Sequence, residues 1–174
     1  VLSHGYVVDS KGEKMSKSLG NVVNPMDIIN KNGADVFRLW AATSDFKADL
    51  KLGPDNIKQV SDQYRKIRNT FRFLLGNVNP KDFDPKKDMV AYSDLEPVDR
   101  YILVRLDETV KSVREDVLEY DYVSSVKALM NFMVNELSSY YCDFTKDILY
   151  CNDLNDHRRR QVQSVYWICA DKLV

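Results

Sequence analysis

Residues 54–78 read PDNIKQVSDQYRKIRNTFRFLLGNV, with apolar members at Ile57, Val60, Tyr64, Ile67, Phe71, Leu74 and Val78. Spacings that alternate three and four put all seven on one face of an α-helix, the seam of a helix packed on other helices. The pattern returns downstream. Pro97 opens a second helix with the stripe Ile102, Leu106, Val110, Val113 and Val117. A third runs through Val123, Val126, Met130, Met133, Leu137, Tyr141, Phe144 and Ile148. Asn155 is the expected cap of a fourth, with Val162, Val165, Cys169 and Leu173 on one side. Residues 79–93, with Pro80 and Pro85, break the pattern as a polar stretch. The last helix reaches Val174 without a terminating glycine, so the chain is expected to stop inside an element.

Upstream the pattern differs. Residues 1–9 alternate and are β-rich at Tyr6-Val7-Val8, which predicts a strand or hairpin arm. A polar loop follows to Asn21. Asn24-Pro25 then supplies an N-cap and a proline at the first helical position, for a short helix to about Asn30 that Gly33 ends. Ala34 to about Ser44 reads as another short helix, with Val36, Phe37, Leu39 and Trp40 as its apolar members. The expected fold class is mainly α: a small β-loop-α unit over residues 1–53, then an antiparallel helical bundle over residues 54–174, truncated at its C-terminus.

Composition is that of an ordinary globular chain: 174 residues, 44% hydrophobic and 29% charged, with six glycines and five prolines. No apolar run approaches the roughly 20 residues that span a bilayer. A formal net charge of -1 argues against a globally basic nucleic-acid binder but leaves room for local basic patches. Cys142, Cys151 and Cys169 show no C-x-x-C spacing and read as buried, reduced, cytoplasmic thiols.

The chemistry concentrates in Asp9-Ser10-Lys11-Gly12-Glu13-Lys14-Met15-Ser16-Lys17-Ser18-Leu19-Gly20-Asn21. Lys14 and Lys17, with hydroxyls at Ser16 and Ser18, form a mobile cationic clamp suited to a polyphosphate whose charge grows in a transition state. The spacing is not that of a Walker A loop. On charge pattern alone, a solvated surface loop is the commoner reading. The order of residues adds more. Lys14-Met15-Ser16-Lys17-Ser18 is identical to the KMSKS motif of class I aminoacyl-tRNA synthetases, and the flanking Gly12 and Leu19-Gly20-Asn21 match too. His4-Gly5, Val8-Asp9, Asn24-Pro25 and Gly33-Ala34-Asp35 resemble the isoleucyl, valyl and leucyl group. Arg38-Leu39-Trp40, Ser44-Asp45-Phe46 with Asp49, and residues 66–75 (KIRNTFRFLL) are most similar to its isoleucyl branch. So are Asn131-Phe132, Leu137-Ser138, Tyr141, Lys146-Asp147 and Leu149-Tyr150. Ile148 and Tyr101 depart from that pattern, where Arg and Trp are usual.

The resemblance implies an enzyme that activates isoleucine with ATP and Mg2+ and esterifies it to tRNA(Ile). By motif, Lys14 and Lys17 would be the catalytic phosphate contacts, and Lys14, Met15, Ser16, Lys17 and Ser18 the ATP-binding loop. Arg65, Lys66, Arg68 and Arg72 form a basic stretch suited to tRNA phosphates, and Arg158-Arg159-Arg160 a second. Solvated helix faces are an equally good reading of either. Tyr140 and Tyr141 read as core side chains. His4 and His157 are the only histidines and form no His-x-Gly-His, so an isolated fragment is expected to be inactive. No metal ligands and no membrane partner are expected, and the setting is cytoplasmic. A valyl-type fragment, a freestanding RNA-binding helical module and an adenylating enzyme without tRNA are the alternatives.

Overall fold

The computed structural model describes residues 3–174, so the first two residues of the expected N-terminal strand lie outside the described residues. The strand is short. β1 (Val7–Val8) pairs in parallel with β2 (Leu50–Lys51), Val7 opposite Leu50 and Val8 opposite Lys51. β2 has no counterpart in the sequence reading, because two residues are too few for an alternation to appear. The pairing extends upstream through Gly5, whose N–H donates to the Phe46 carbonyl at 2.8 Å. A Cβ on Gly5 would sit 2.2 Å from the Ala48 carbonyl oxygen, so the close backbone approach needs glycine. Gly5→Ala is therefore expected to cost about 1–3 kcal/mol, read as a lower urea midpoint from Trp40 fluorescence.

The helices follow the predicted order, and the chain is mainly α. In α1 (Pro25–Asn32) the Asn24 side chain accepts the Met26 N–H at 3.0 Å, and Pro25 loses nothing by lacking its own N–H. Gly33, at φ 93, ends α1 and turns the chain into α2 (Ala34–Thr43). Then come α3 (Pro54–Asn77), α4 (Pro97–Leu118), α5 (Tyr122–Asn131), α6 (Asp143–Cys151) and α7 (His157–Lys172). A π-helical segment, Phe132–Cys142, joins α5 to α6; Asn131 and Asp143 on either side keep right-handed helical angles.

The segment explains a departure from the expected third stripe. Bonds from i to i+5 widen each turn, so a 3.6-residue count loses register with the core. The face that is buried runs through Met133, Leu137, Tyr141, Thr145 and Leu149, while Phe144 is 56% exposed. Other expectations shift slightly. Phe83 lies in the stretch read as polar but is 1% exposed, and a 3-10 turn (Tyr92–Asp94) closes that stretch. The cap of α7 is Asp156 and not Asn155, its carboxylate accepting the Arg159 N–H at 3.0 Å. Cys151 is exposed, while Cys142 and Cys169 are buried; all three are free. Burial pushes the Cys142 thiol up to about 11, which keeps it protonated and inert.

The chain forms two compact units. One contains the residues up to Lys66 together with Asp116–Lys127. Its core gathers Ile28, Val36, Trp40, Leu52, Ile57 and Val60. The other contains Ile67–Glu115 and Ala128–Val174. Its core is larger and centres on α7, where Val162, Val165, Tyr166 and Cys169 are 0% exposed. A helix buried on nearly all sides must also satisfy its polar side chains. Gln163 donates to the Asn77 carbonyl at 3.0 Å and to Asp82 at 2.9 Å, and the Ser164 hydroxyl accepts the Val90 N–H at 2.9 Å.

Candidate functional site

The lysine loop is held by two side chains that carry no cation. Asp9, 8% exposed, accepts the N–H groups of Lys11 at 2.9 Å and Glu13 at 2.8 Å through Oδ1. Its backbone closes the same turn: Asp9 N–H donates to the Glu13 carbonyl and Gly12 N–H to the Asp9 carbonyl, both at 3.0 Å. Gly12 adopts φ 88, a left-handed conformation that suits glycine. The other Asp9 oxygen accepts the Asn21 side-chain amide at 3.0 Å, and that amide also reaches the Lys14 carbonyl at 3.2 Å. Asn21 Oδ1 accepts the Ser16 N–H at 2.9 Å. One carboxylate and one carboxamide thus clamp both ends of the loop.

Within that frame, Ser16 Oγ accepts the Leu19 N–H at 3.3 Å and lies 3.1 Å from Ser18 Oγ. Met15 is half-buried, and its sulfur accepts the Val23 N–H at 3.4 Å. Lys14 forms a single antiparallel bridge with Val8, yet its side chain and that of Lys17 are exposed. Among the described residues neither ammonium pairs with a carboxylate. The geometry is a braced backbone carrying two solvated cations. Sequence reading singled out the lysines and missed the bracing roles of Asp9 and Asn21. An aspartate three residues before a glycine is a turn signal that points to Asp9.

Hydrogen bonds from the Glu13 N–H, the Asn21 amide and the Lys11 and Gly12 N–H groups hold the Asp9 carboxyl below the usual carboxylate range. A depressed folded pKa contributes order above the unfolded value and loses it as pH falls through the folded value. The loop frame is therefore expected to persist unchanged from neutral pH down to about 4 and to loosen only below that. The Asn21 side-chain amide protons, followed by NMR against pH, report it; loss of their dispersion near pH 6 would sink the idea.

The basic residues divide into two kinds. Arg65, Lys66, Arg68 and Arg72 on α3 are all exposed, and Arg65 reaches Asp62 at 3.1 Å, a pair of small worth on an open surface. In the second unit, Arg72 borders a surface groove of about 470 Å³ shared with Asn69, Phe73, Asn77 and Tyr150. Arg158, Arg159 and Arg160 are different: they serve the interior and not a phosphate surface. Arg158 forms a two-pronged pair with fully buried Asp99, Arg159 reaches Asp82 at 2.6 Å and the Leu149 carbonyl, and Arg160 bonds the Asp82 carbonyl and Gln163. Tyr141 is buried as expected, and Tyr140 is 48% exposed. His4 lies in the open, its ring nitrogen 2.8 Å from the Gly5 carbonyl. Among the described residues no helix is long and apolar enough to cross a membrane, and no group of three or more His, Cys, Asp or Glu is placed to hold a metal ion.

Two family models match the chain: tRNA synthetases class I (I, L, M and V) over residues 1–53, and the anticodon-binding domain of tRNA ligase over residues 99–174. It is 45% identical to the isoleucine–tRNA ligase of Lactococcus lactis over 174 residues, 100% of this chain and 18% of the relative. It is 49% identical to that of Bacillus licheniformis over 167 residues, 96% of this chain and 18% of the relative. Residues 1–53 belong to the class I tRNA synthetases. The chain spans about a fifth of the length of the curated relatives it matches, 18% and 19% in two cases. Its fold is also like that of a solved Agrobacterium radiobacter LeuRS in a ternary complex with tRNA and LeuAMS. That likeness has a TM-score of 0.60 at 18% identity and covers 98% of this chain and 21% of that one. The braced lysine loop lies inside the first matched region, and the buried arginines lie inside the second.

Proposed function

We propose that these residues supply the ATP-phosphate lysine loop and a tRNA-binding helical region of a cytoplasmic isoleucine–tRNA ligase, which activates isoleucine with ATP and esterifies it to tRNA(Ile). The observation that carries this reading is the loop itself: two exposed ammonium groups, three residues apart, on a backbone braced by Asp9 and Asn21. As the isoleucine carboxylate attacks the α-phosphate, charge grows on the departing pyrophosphate. Lys17 is the direct contact to the β- and γ-phosphate oxygens, and Lys14 neutralises the charge beside it. Ser16 and Ser18 hold the shape of the loop, and Met15 anchors it. Mg2+ would accompany the phosphates of the nucleotide. Residues 1–53 form the end of the catalytic part, and residues 54–174 the helical tRNA-binding part. Three free cysteines fit a reducing compartment.

The 174-residue chain by itself is expected to give no ATP–pyrophosphate exchange with isoleucine, because the lysine loop only completes a site and no His-x-Gly-His occurs here. Robust exchange by the purified chain would overturn that. The same preparation is expected to bind tRNA weakly, with affinity falling on a modest slope as salt rises, since a few arginines neutralise only a few phosphates. Replacing Arg68 and Arg72 by Ala weakens cognate and non-cognate tRNA about equally if the contacts go to phosphate. Filter binding of both tRNAs at several salt concentrations measures it. Binding that ignored salt, or that left both substitutions silent, would move the RNA surface elsewhere.

A further inference from the structure

Among the described residues, Tyr120 is the one non-glycine residue with positive φ, at 62°. It ends α4 in a Schellman cap: its N–H donates to the Val117 carbonyl at 3.1 Å, and the Asp121 N–H donates to the Asp116 carbonyl at 2.8 Å. Glycine usually fills that left-handed position, because a Cβ there crowds the following carbonyl. Here the position carries a large ring that is 49% exposed, a cost the cap itself does not require.

The ring has neighbours that make use of it. Tyr120 meets Tyr122 nearly edge-on, with centroids 6.4 Å apart and planes at 83°. Tyr122 in turn stands 6.4 Å from Phe46 at 53°. Rings set at such angles form walls, not a stack. Together with Asp45, Lys47 and Asp121 they line a concavity of about 240 Å³. Its lining sets two carboxylates beside the Lys47 ammonium, with Lys127 a second cation acting on Asp121, and Asp116 and Glu119 stand just before it in the chain. Bonds from Ser124, with the charges of Lys47 and Lys127, hold the Asp121 carboxyl below the usual range, so it is ionised at neutral pH.

Ring faces attract a cation through their quadrupole, and ionised carboxylates add to that attraction while repelling RNA phosphate. We propose that the Phe46–Tyr120–Tyr122 concavity binds the arginine or lysine side chain of a basic peptide segment. The site lies apart from the lysine loop and does not depend on the function assigned to that loop. Lys47, and beyond it Lys127, are its internal competitors.

The test uses the 174-residue chain labelled with ¹³C in its tyrosines and a blocked pentapeptide carrying one arginine and one lysine between glycines. Saturable shifts of the Tyr120 and Tyr122 ring resonances are expected, with a glutamine-substituted peptide binding about 3- to 5-fold more weakly. Tyr120→Gly suits the cap and is expected to keep the melting temperature at or above that of the parent while weakening the peptide about 3- to 5-fold. Lys47→Ala should strengthen binding about 2-fold. The proposal fails if the neutral peptide binds equally, if Tyr120→Gly leaves affinity unchanged, or if single-stranded RNA shifts these rings and the peptide does not.

Discussion

Lys17→Ala is expected to slow isoleucine adenylation by roughly two to three orders of magnitude, the loss seen when one preorganised donor to a developing charge is removed. The setting for the measurement is a chimera in which these 174 residues replace the matching segment of the Lactococcus lactis relative, 45% identical over that length. The ammonium of Lys17 is exposed and, among the described residues, carries no carboxylate partner, so its removal is expected to leave the fold untouched and the effect to fall on the reaction. The isoleucine KM is expected to change little, since the lysine addresses phosphate and not the amino acid. Exchange rates across isoleucine and ATP concentrations separate the two. Near-normal turnover with a collapsed isoleucine affinity would mean that Lys17 has a different role.

Asp99→Ala is expected to destabilise the second unit by about 3–5 kcal/mol, among the largest effects of any single substitution in the chain. Asp99 is 0% exposed and accepts both prongs of the Arg158 guanidinium, the Tyr141 hydroxyl at 2.6 Å and the Glu96 N–H at 3.3 Å. Truncation strands a guanidinium whose side chain is 23% exposed and a buried phenol with no acceptor. Trp167 fluorescence in urea, with Trp40 replaced by Phe, reports this unit. The double variant Asp99→Leu with Arg158→Met should recover much of the loss, because the cost lies in an unpaired buried charge and not in the absence of the pair. A double variant no more stable than Asp99→Ala would refute that account.

Those two predictions stand on residues of opposite legibility. Lys17 is readable from sequence because the motif is local: Lys14 to Ser18 is one uninterrupted string in a polar loop between glycines. Arg158, Arg159 and Arg160 are also one string, yet their chemistry belongs to Asp99 and Asp82, which stand 59 and 77 residues away for the Arg158 and Arg159 bonds. A charge run on a helix looks the same in sequence whether it meets phosphate or buried carboxylates. The same limit hid Asp9 and Asn21. Their side chains are bonded to each other across 12 residues, and only the closed loop brings them within 3.0 Å.

The order of the helices and the inward face of α3 followed from sequence alone, since a 3.6-residue period, the cap at Asn24 and the helix-opening Pro97 are written in neighbouring residues. The stripe of α4 held only as far as Val113, with Val117 43% exposed, and α7 is buried on nearly all sides and not on one. The composition of the lysine loop was equally local. Tertiary structure decided the rest. It shifted the buried face past the π-helical segment from Phe144 to Thr145, because wider turns break the count that a periodicity assumes. It paired Val7 with Leu50, where two residues hold no pattern to read. It turned three arginines inward, because burial and a carboxylate partner are properties of the folded neighbourhood and not of the string that carries the charge.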